Sequence, residues 1–251
     1  MISFENLSAG YGKGDVLQSI SATANASEFI ALIGPNGCGK STLLKTLSGL
    51  IKPSSGTVTI DDALLSSLSL KSSARSIAYL AQSREALPAM NVQDVVELGR
   101  APYRGGLGKI SEGGQSAIKT AITKTQSDAF IDRRFDSLSG GEQARILLAR
   151  ALAVEAPVLL ADEPIAALDP FYQLSMMDIL KAEATSGKTV IAALHDLSLA
   201  AQFASRIWVM HQGKIVADET PKDALNEDTL AKVFGICAPK GGFQPIKLAL
   251  K

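Results

Sequence analysis

Gly34-Pro35-Asn36-Gly37-Cys38-Gly39-Lys40-Ser41 decides how this chain is to be read. The stretch has the form Gly-x-x-x-x-Gly-Lys-Ser, and its flanks matter as much as its letters. Before it, Phe29-Ile30-Ala31-Leu32-Ile33 is short, unbroken and apolar, the pattern of a strand buried on both faces of a parallel sheet. After it, Thr42-Leu43-Leu44-Lys45-Thr46-Leu47 spaces its leucines for a helix. Glycines let successive backbone N–H groups turn inward toward an anion, and a helix N-terminus adds partial positive charge. Lys40 then reaches the outer phosphates, and the Ser41 hydroxyl is placed to hold Mg²⁺. A plain glycine-rich turn needs no strand before it and no helix after it, so the flanks favour a nucleotide phosphate site. Cys38 sits inside this loop, where a helix N-terminus predicts a lowered thiol pKa and a reactive thiolate.

Working outward, Leu138-Ser139-Gly140-Gly141-Glu142-Gln143 opens a helical stretch over 144–154 that carries Arg145 and Arg150 among apolar residues. Ser139 and Glu142 read as a capping box. Two glycines directly after a cap lower helix propensity, which a cap alone does not require, and they let a phosphate approach the N–H groups. Val158-Leu159-Leu160-Ala161-Asp162-Glu163-Pro164 is an apolar strand ending in two carboxylates, and Asp169-Pro170 is an N-cap followed by proline at the first helical position. The run Thr189-Val190-Ile191-Ala192-Ala193-Leu194 is closed by His195, with Asp196 capping the next helix, and Ile77-Ala78-Tyr79-Leu80-Ala81 is closed by Gln82. His211-Gln212-Gly213-Lys214 reads as a hairpin turn without a chemical role. In an open parallel sheet, ligands bind outside the carboxyl ends of the strands. The Gly34 loop, Gln82, Asp162 with Glu163, and His195 each follow an apolar run, so all four converge on one edge.

Together these segments resemble the ATP-binding subunits of ABC transporters, whose signature is LSGGQ or a close variant followed by an arginine-bearing helix; residues 138–152 here read LSGGEQARILLARAL. The resemblance covers residues 2–235 and implies an α/β fold: a P-loop NTPase core with an N-terminal antiparallel β subdomain and an inserted α-helical subdomain. It implies that Asp162 holds Mg²⁺ and that Glu163 orients and deprotonates the attacking water. His195 would contact the γ-phosphate and keep that water in line, and Gln82 would sense Mg²⁺ and nucleotide. Tyr11, in Leu7-Ser8-Ala9-Gly10-Tyr11-Gly12, resembles the residue that stacks on adenine, although it reads equally as the anchor of a strand. Ser139, Gly140, Gly141 and Gln143 would face the phosphate loop of a second copy, with Asp169 at the same interface, so that two copies sandwich two ATP molecules. Ile165-Ala166 departs from the family, which often carries a small hydroxyl residue there, and some hydrogen bonding between copies is expected to be missing.

Gly99-Arg100-Ala101-Pro102-Tyr103-Arg104-Gly105-Gly106, Ile77 to Gln82 and Val233-Phe234-Gly235 resemble subunits that energise import of iron chelates, haem and cobalamin. Read without that resemblance, the first of these is a polar loop between helices. The partners implied are a second copy, a transmembrane permease and, indirectly, a periplasmic or surface substrate-binding protein, at the cytoplasmic face of the membrane. The alternatives are a subunit for a metal ion, an exporter subunit, or an ABC ATPase of DNA repair or translation. Members of the last class usually carry zinc motifs, long coiled-coil inserts or a second cassette, and none is seen in this sequence.

Composition sets bounds. With 251 residues, 46% of them apolar, and 25 charges of each sign, the chain can bury a full core and has no electrostatic footprint for nucleic acid. No apolar run approaches the length of a membrane span, and the N-terminus lacks a secretion-signal layout, so a protein soluble by itself is expected. Two cysteines far apart indicate neither a disulfide framework nor a metal cluster. Residues 1–82 and 157–235 alternate apolar runs with turns and helical patterns, as a nucleotide-binding core would. The insert 83–156 is strand-poor, with a helix expected over 91–100 and a weaker one over 115–125, and 236–251 is a tail too short for a regulatory domain.

Overall fold

A computed structural model describes residues 1–12, 14–82, 90–104, 110–237, 243–246 and 248–249. In chain order the elements are β1 (Ile2–Tyr11), β2 (Gly14–Ala24), β3 (Phe29–Ile33), α1 (Lys40–Leu47), β4 (Ser55–Ile60), β5 (Ala63–Leu64), α2 (Leu70–Ser76) and β6 (Ile77–Leu80). Next come α3 (Val92–Glu97), α4 (Glu112–Lys124), α5 (Gly140–Leu152), β7 (Val158–Asp162), α6 (Pro170–Thr185), β8 (Thr189–Ala193) and α7 (Leu197–Phe203). The hairpin β9 (Arg206–His211) and β10 (Lys214–Glu219) and two short helices, α8 (Pro221–Ala224) and α9 (Glu227–Thr229), follow, and a π-helical turn, Leu230–Phe234, closes the series.

Two sheets result. The larger runs β10-β9-β3-β8-β7-β6, parallel from β9 to β6 with β10 antiparallel at its edge; the smaller is antiparallel in the order β2-β1-β4-β5. Successive side chains of a strand face opposite ways, and here both faces are covered. Phe29, Ala31 and Ile33 of β3 enter one apolar cluster with α3 to α7, whereas Ile30 and Leu32 enter the other with α1 and the antiparallel sheet. That double coverage is why β3, β7 and β8 read as unbroken apolar runs rather than alternating ones. Among the described residues no helix is long and apolar enough to cross a membrane.

Two helix expectations shift. The helix expected over 91–100 stops at Glu97 and continues as a 3₁₀ turn, Leu98–Tyr103. Pro102 lacks an N–H and disfavours helical geometry in the residue before it. This turn is not a loose polar loop: the Arg100 guanidinium lies 3.9 Å from the centroid of the Tyr103 ring and donates to Ala153 O, and the Tyr103 hydroxyl donates to Val154 O. The Gly99 segment thereby grips the end of α5; its last two glycines, 105 and 106, lie outside the described residues. The weaker helix, expected from 115, starts at Glu112 because the Ser111 hydroxyl accepts from Gly114 N. Gly113 and Gly114 had hidden that first turn.

Candidate active site

The Gly34 loop leaves the end of β3 and enters α1 through glycines that no other residue could replace without strain. Gly39, the residue before α1, has φ 112°, in the left-handed region open to glycine. Gly34 runs so close to β9 that an added Cβ would lie 2.2 Å from Met210 O. The turn of the β9–β10 hairpin completes the support, since Gly213 N donates to Cys38 O at 3.1 Å. The hairpin expected to have no chemical role therefore buttresses the loop, a role that its Gln-Gly turn residues could not announce.

Inside the loop, Lys40 Nζ donates to Gly34 O at 2.8 Å and Pro35 O at 3.1 Å. Asn36 and Gly37 are exposed at its rim, while Thr42 is buried and its carbonyl accepts from Thr46 Oγ1. Cys38 corrects an expectation. Its side chain is 6% exposed, and burial pushes the thiol above its ordinary pKa even though Lys40 pulls the other way. Desolvation of a thiolate outweighs the helix N-terminus here, so a reactive thiolate is not what the loop holds.

At the end of β7, Asp162 is 1% exposed and takes two hydrogen bonds, from Ser41 Oγ at 2.9 Å and from the Tyr79 hydroxyl at 3.2 Å. Burial raises its pKa above the usual carboxylate range, and both donors oppose that rise. Tyr79 is a site residue that motif reading missed. Its phenol pKa is also raised, by burial first and then by Asp162. The signal was available in register alone, because β6 lies beside β7 and Tyr79 pairs with Leu160.

The chain turns sharply at the next residue. Glu163 has φ 50°, an uncommon conformation for a residue with a side chain, and leaves the strand path of Asp162. Its carboxylate is held from both sides: Gln82 Nε2 donates to Oε2 at 2.6 Å, and His195 Nε2 lies 2.5 Å from Oε1. Gln82 follows β6, Glu163 follows β7 and His195 follows β8, all neighbours in the sheet. The convergence read from strand ends thus becomes a chain of direct contacts between three side chains.

The remaining residues lie along other turns. Ser139 and Glu142 form the capping box of α5, and the bond from Ser139 N first, with Arg133 nearby, holds the Glu142 carboxyl below its usual range. Gln143, whose expected nucleotide contact would lie across the interface of two copies, directs its amide nitrogen to Phe135 O and Leu138 O and within its own chain braces the turn ahead of α5. Asp169 caps α6 by accepting from Tyr172 N at 3.1 Å, with Pro170 at the first helical position. Ile165, where the family often has a hydroxyl, is buried in the larger apolar cluster. Tyr11 ends β1 with its side chain 57% exposed, available for stacking.

A family model described as ABC transporter matches residues 17–166. The chain is 34% identical over 236 residues to a probable siderophore transport system ATP-binding protein, YusV, of Bacillus subtilis (strain 168), covering 94% of this chain and 86% of the relative. It is 38% identical over 234 residues to the hemin import ATP-binding protein HmuV of Thermobifida fusca (strain YX), covering 93% and 82%. Among solved structures it is similar to the dimeric ATP-binding cassette MJ0796 bound to ADP and Pi, with a TM-score of 0.77 and 29% identity over 88% of this chain and 99% of that one. The parallel sheet covered on both faces, with its antiparallel companion sheet, is the α/β fold that the strand and loop patterns implied. This chain is an ATP-binding member of the ABC transporter family.

Proposed function

We propose that this protein hydrolyses MgATP as one of two identical copies and drives a membrane permease that imports an iron chelate or haem. The observation that carries the chemical part is the Gln82–Glu163–His195 chain beside Asp162. Glu163 Oε1 and Oε2 each have a fixed neighbour, so the carboxylate is held in one orientation, ready to take a proton from a water at the γ-phosphate. His195, partly exposed at the mouth of the site, keeps that water in line, and Lys40 with the N–H groups at the start of α1 neutralises phosphate charge.

Ser41 and Asp162 suit Mg²⁺, because a hydroxyl and a carboxylate 2.9 Å apart are hard oxygen donors. No group of three or more His, Cys, Asp or Glu able to hold a metal occurs among the described residues. Two protein oxygens are nonetheless the usual share, the other positions going to phosphates and water. When bound, the ion would offset the charge that develops on the phosphate oxygens. Gln82 sits near enough to Glu163 to respond to both ion and nucleotide.

The nucleotide contacts assigned to Ser139, Gly140, Gly141 and Asp169 are taken across the interface of two copies, in keeping with the dimeric cassette to which the chain is similar. The described residues of the insert, 90–104 and 110–156, supply the helical arm that carries the signature and meets the permease. Cargo is read from the relatives, whose names specify hemin and siderophore transport. Selection of cargo falls to the permease and a substrate-binding protein, with this subunit at the cytoplasmic face. The test is a chromosomal Lys40→Ala replacement, followed by uptake of labelled ferric chelates and haem under iron limitation. Loss of uptake of one class is expected. Unchanged uptake of both in a strain without a second system would remove the cargo assignment and leave the ATPase assignment intact.

A further inference from the structure

The second glycine of the Gly140-Gly141 pair is confined by its own chain. A Cβ added to Gly141 would lie 2.4 Å from Tyr172 Cδ2 and 2.6 Å from both Cε2 and Cγ of the same ring. Those distances are far inside van der Waals contact and involve a rigid ring, so a methyl group could enter only if α5 or α6 moved. Tyr172 stands in the first turn of α6, and its N–H is the donor that Asp169 accepts at 3.1 Å. One residue therefore touches both the signature turn and the Asp169 cap.

Arg145, one turn further along α5, reinforces the contact. It is 7% exposed, its guanidinium carbon lies 4.8 Å from the centroid of the Tyr172 ring and 5.4 Å from that of Phe171, and its Nη2 donates to Ser175 Oγ at 2.9 Å. Phe171 meets Tyr172 edge-on with centroids 5.4 Å apart. A cation set over two rings and a hydrogen bond from a buried charge are directional contacts that fix a relative orientation, which apolar packing alone does not.

We infer that Tyr172 is a positioning residue: it clamps the signature turn of α5 to the Asp169 turn of α6, so that both meet a partner's nucleotide as one rigid edge. Gly141 is glycine for the Tyr172 ring within its own chain as well as for a phosphate approaching from another. The catalytic consequence rests on the two-copy reading proposed above, whereas the contact itself does not.

The experiment is a four-protein cycle of wild type, Gly141→Ala, Tyr172→Ala and the double variant, joined by Tyr172→Phe. In thermal unfolding without nucleotide, Gly141→Ala alone is expected to lower Tm by roughly 3–8 °C, the usual cost of overpacking in a chain of this size. In the double variant the methyl occupies space vacated by the ring, so the combined loss is smaller than the sum of the two single losses. Additive losses would overturn the clamp, whatever the oligomeric state. In steady-state hydrolysis, Tyr172→Ala is expected to lower kcat about tenfold with KM for ATP within about twofold, since misplaced contacts affect the reacting geometry more than binding to the phosphate loop. Tyr172→Phe, which keeps the ring, should retain kcat. An unchanged kcat in Tyr172→Ala, or an equal fall in Tyr172→Phe, would overturn the positioning role. Should ATP fail to pair two copies, the sandwich reading falls while the melting cycle still judges the clamp.

Discussion

Two edges of this molecule are braced in opposite ways. The edge built from the Gly34 loop, Gln82, Asp162, Glu163 and His195 closes on itself: Ser41 bonds Asp162, Gln82 bonds Glu163, and His195 reaches Glu163 from the other side. The edge built from Ser139, Gly141, Asp169 and Tyr172 is equally well braced, yet its bracing turns inward, into a capping box, a helix cap and an aromatic contact. On the function proposed above, the first edge supplies the base and the phosphate cradle, and the second supplies the N-termini of α5 and α6. In the two-copy arrangement proposed above, each supplies what the other lacks.

The difference can be broken first at Glu163. Glu163→Gln keeps the size of the side chain and one acceptor oxygen for Gln82 while removing its basicity, so turnover should fall by roughly 10²- to 10⁴-fold, the usual worth of a positioned proton acceptor. Phosphate release measured at saturating ATP checks this, and near-wild-type release would remove Glu163 from the chemistry. ATP should accumulate with the variant and hold it as a dimer in size-exclusion chromatography.

The next largest effect concerns what holds the signature arm in place. Glu183 of α6 is buried and sits between Lys124 of α4, 2.5 Å away, and Lys188 ahead of β8, 2.6 Å away. Burial works to raise the Glu183 pKa, but the two lysines outweigh it and hold the carboxyl below its usual range. A folded pKa below the unfolded one stabilises the fold above the unfolded value, and that contribution is lost as pH falls through the folded one. Replacing both lysines by methionine strands the carboxylate, and chemical denaturation at pH 7 should show a loss of roughly 3 kcal/mol. The loss should shrink in acid, where Glu183 takes a proton; a loss independent of pH would show that the lysines act by packing alone.

A smaller effect separates Asp162 from its surroundings. Tyr79→Phe removes one donor from a buried carboxylate, worth roughly 1 to 2 kcal/mol. The Mg²⁺ concentration for half-maximal hydrolysis should rise about fivefold while the Glu163-dependent step is untouched. An unchanged Mg²⁺ requirement would make Tyr79 a packing residue only.

The two edges also differ in how far they could be read from sequence. The closed edge was legible because each of its groups stands directly after an apolar strand, and a parallel sheet gathers strand ends by geometry. Tyr79 escaped because it lies within a strand and acts across one register pair, which no short motif encodes. Cys38 was misjudged because the helix N-terminus is visible in sequence and the depth of burial is not. On the other edge Ser139, Glu142 and Asp169 were read correctly as caps, since capping is local. The contact between Tyr172 and Gly141 joins residues on two helices whose packing only the folded chain determines. The same holds for Gly213 beneath Cys38 and for the 3₁₀ turn that locks Tyr103 onto the end of α5.

The central claim, that a working site needs the closed edge of one copy and the braced edge of another, is tested most directly by mixing two inactive variants. Lys40→Ala disables the phosphate loop and Ser139→Arg blocks the signature turn, so neither protein should hydrolyse ATP alone. Combined in equal amounts, they can pair so that the intact loop of one meets the intact signature of the other. The account predicts that phosphate release from the mixture rises well above the sum of the separate preparations. A rate equal to that sum would contradict it.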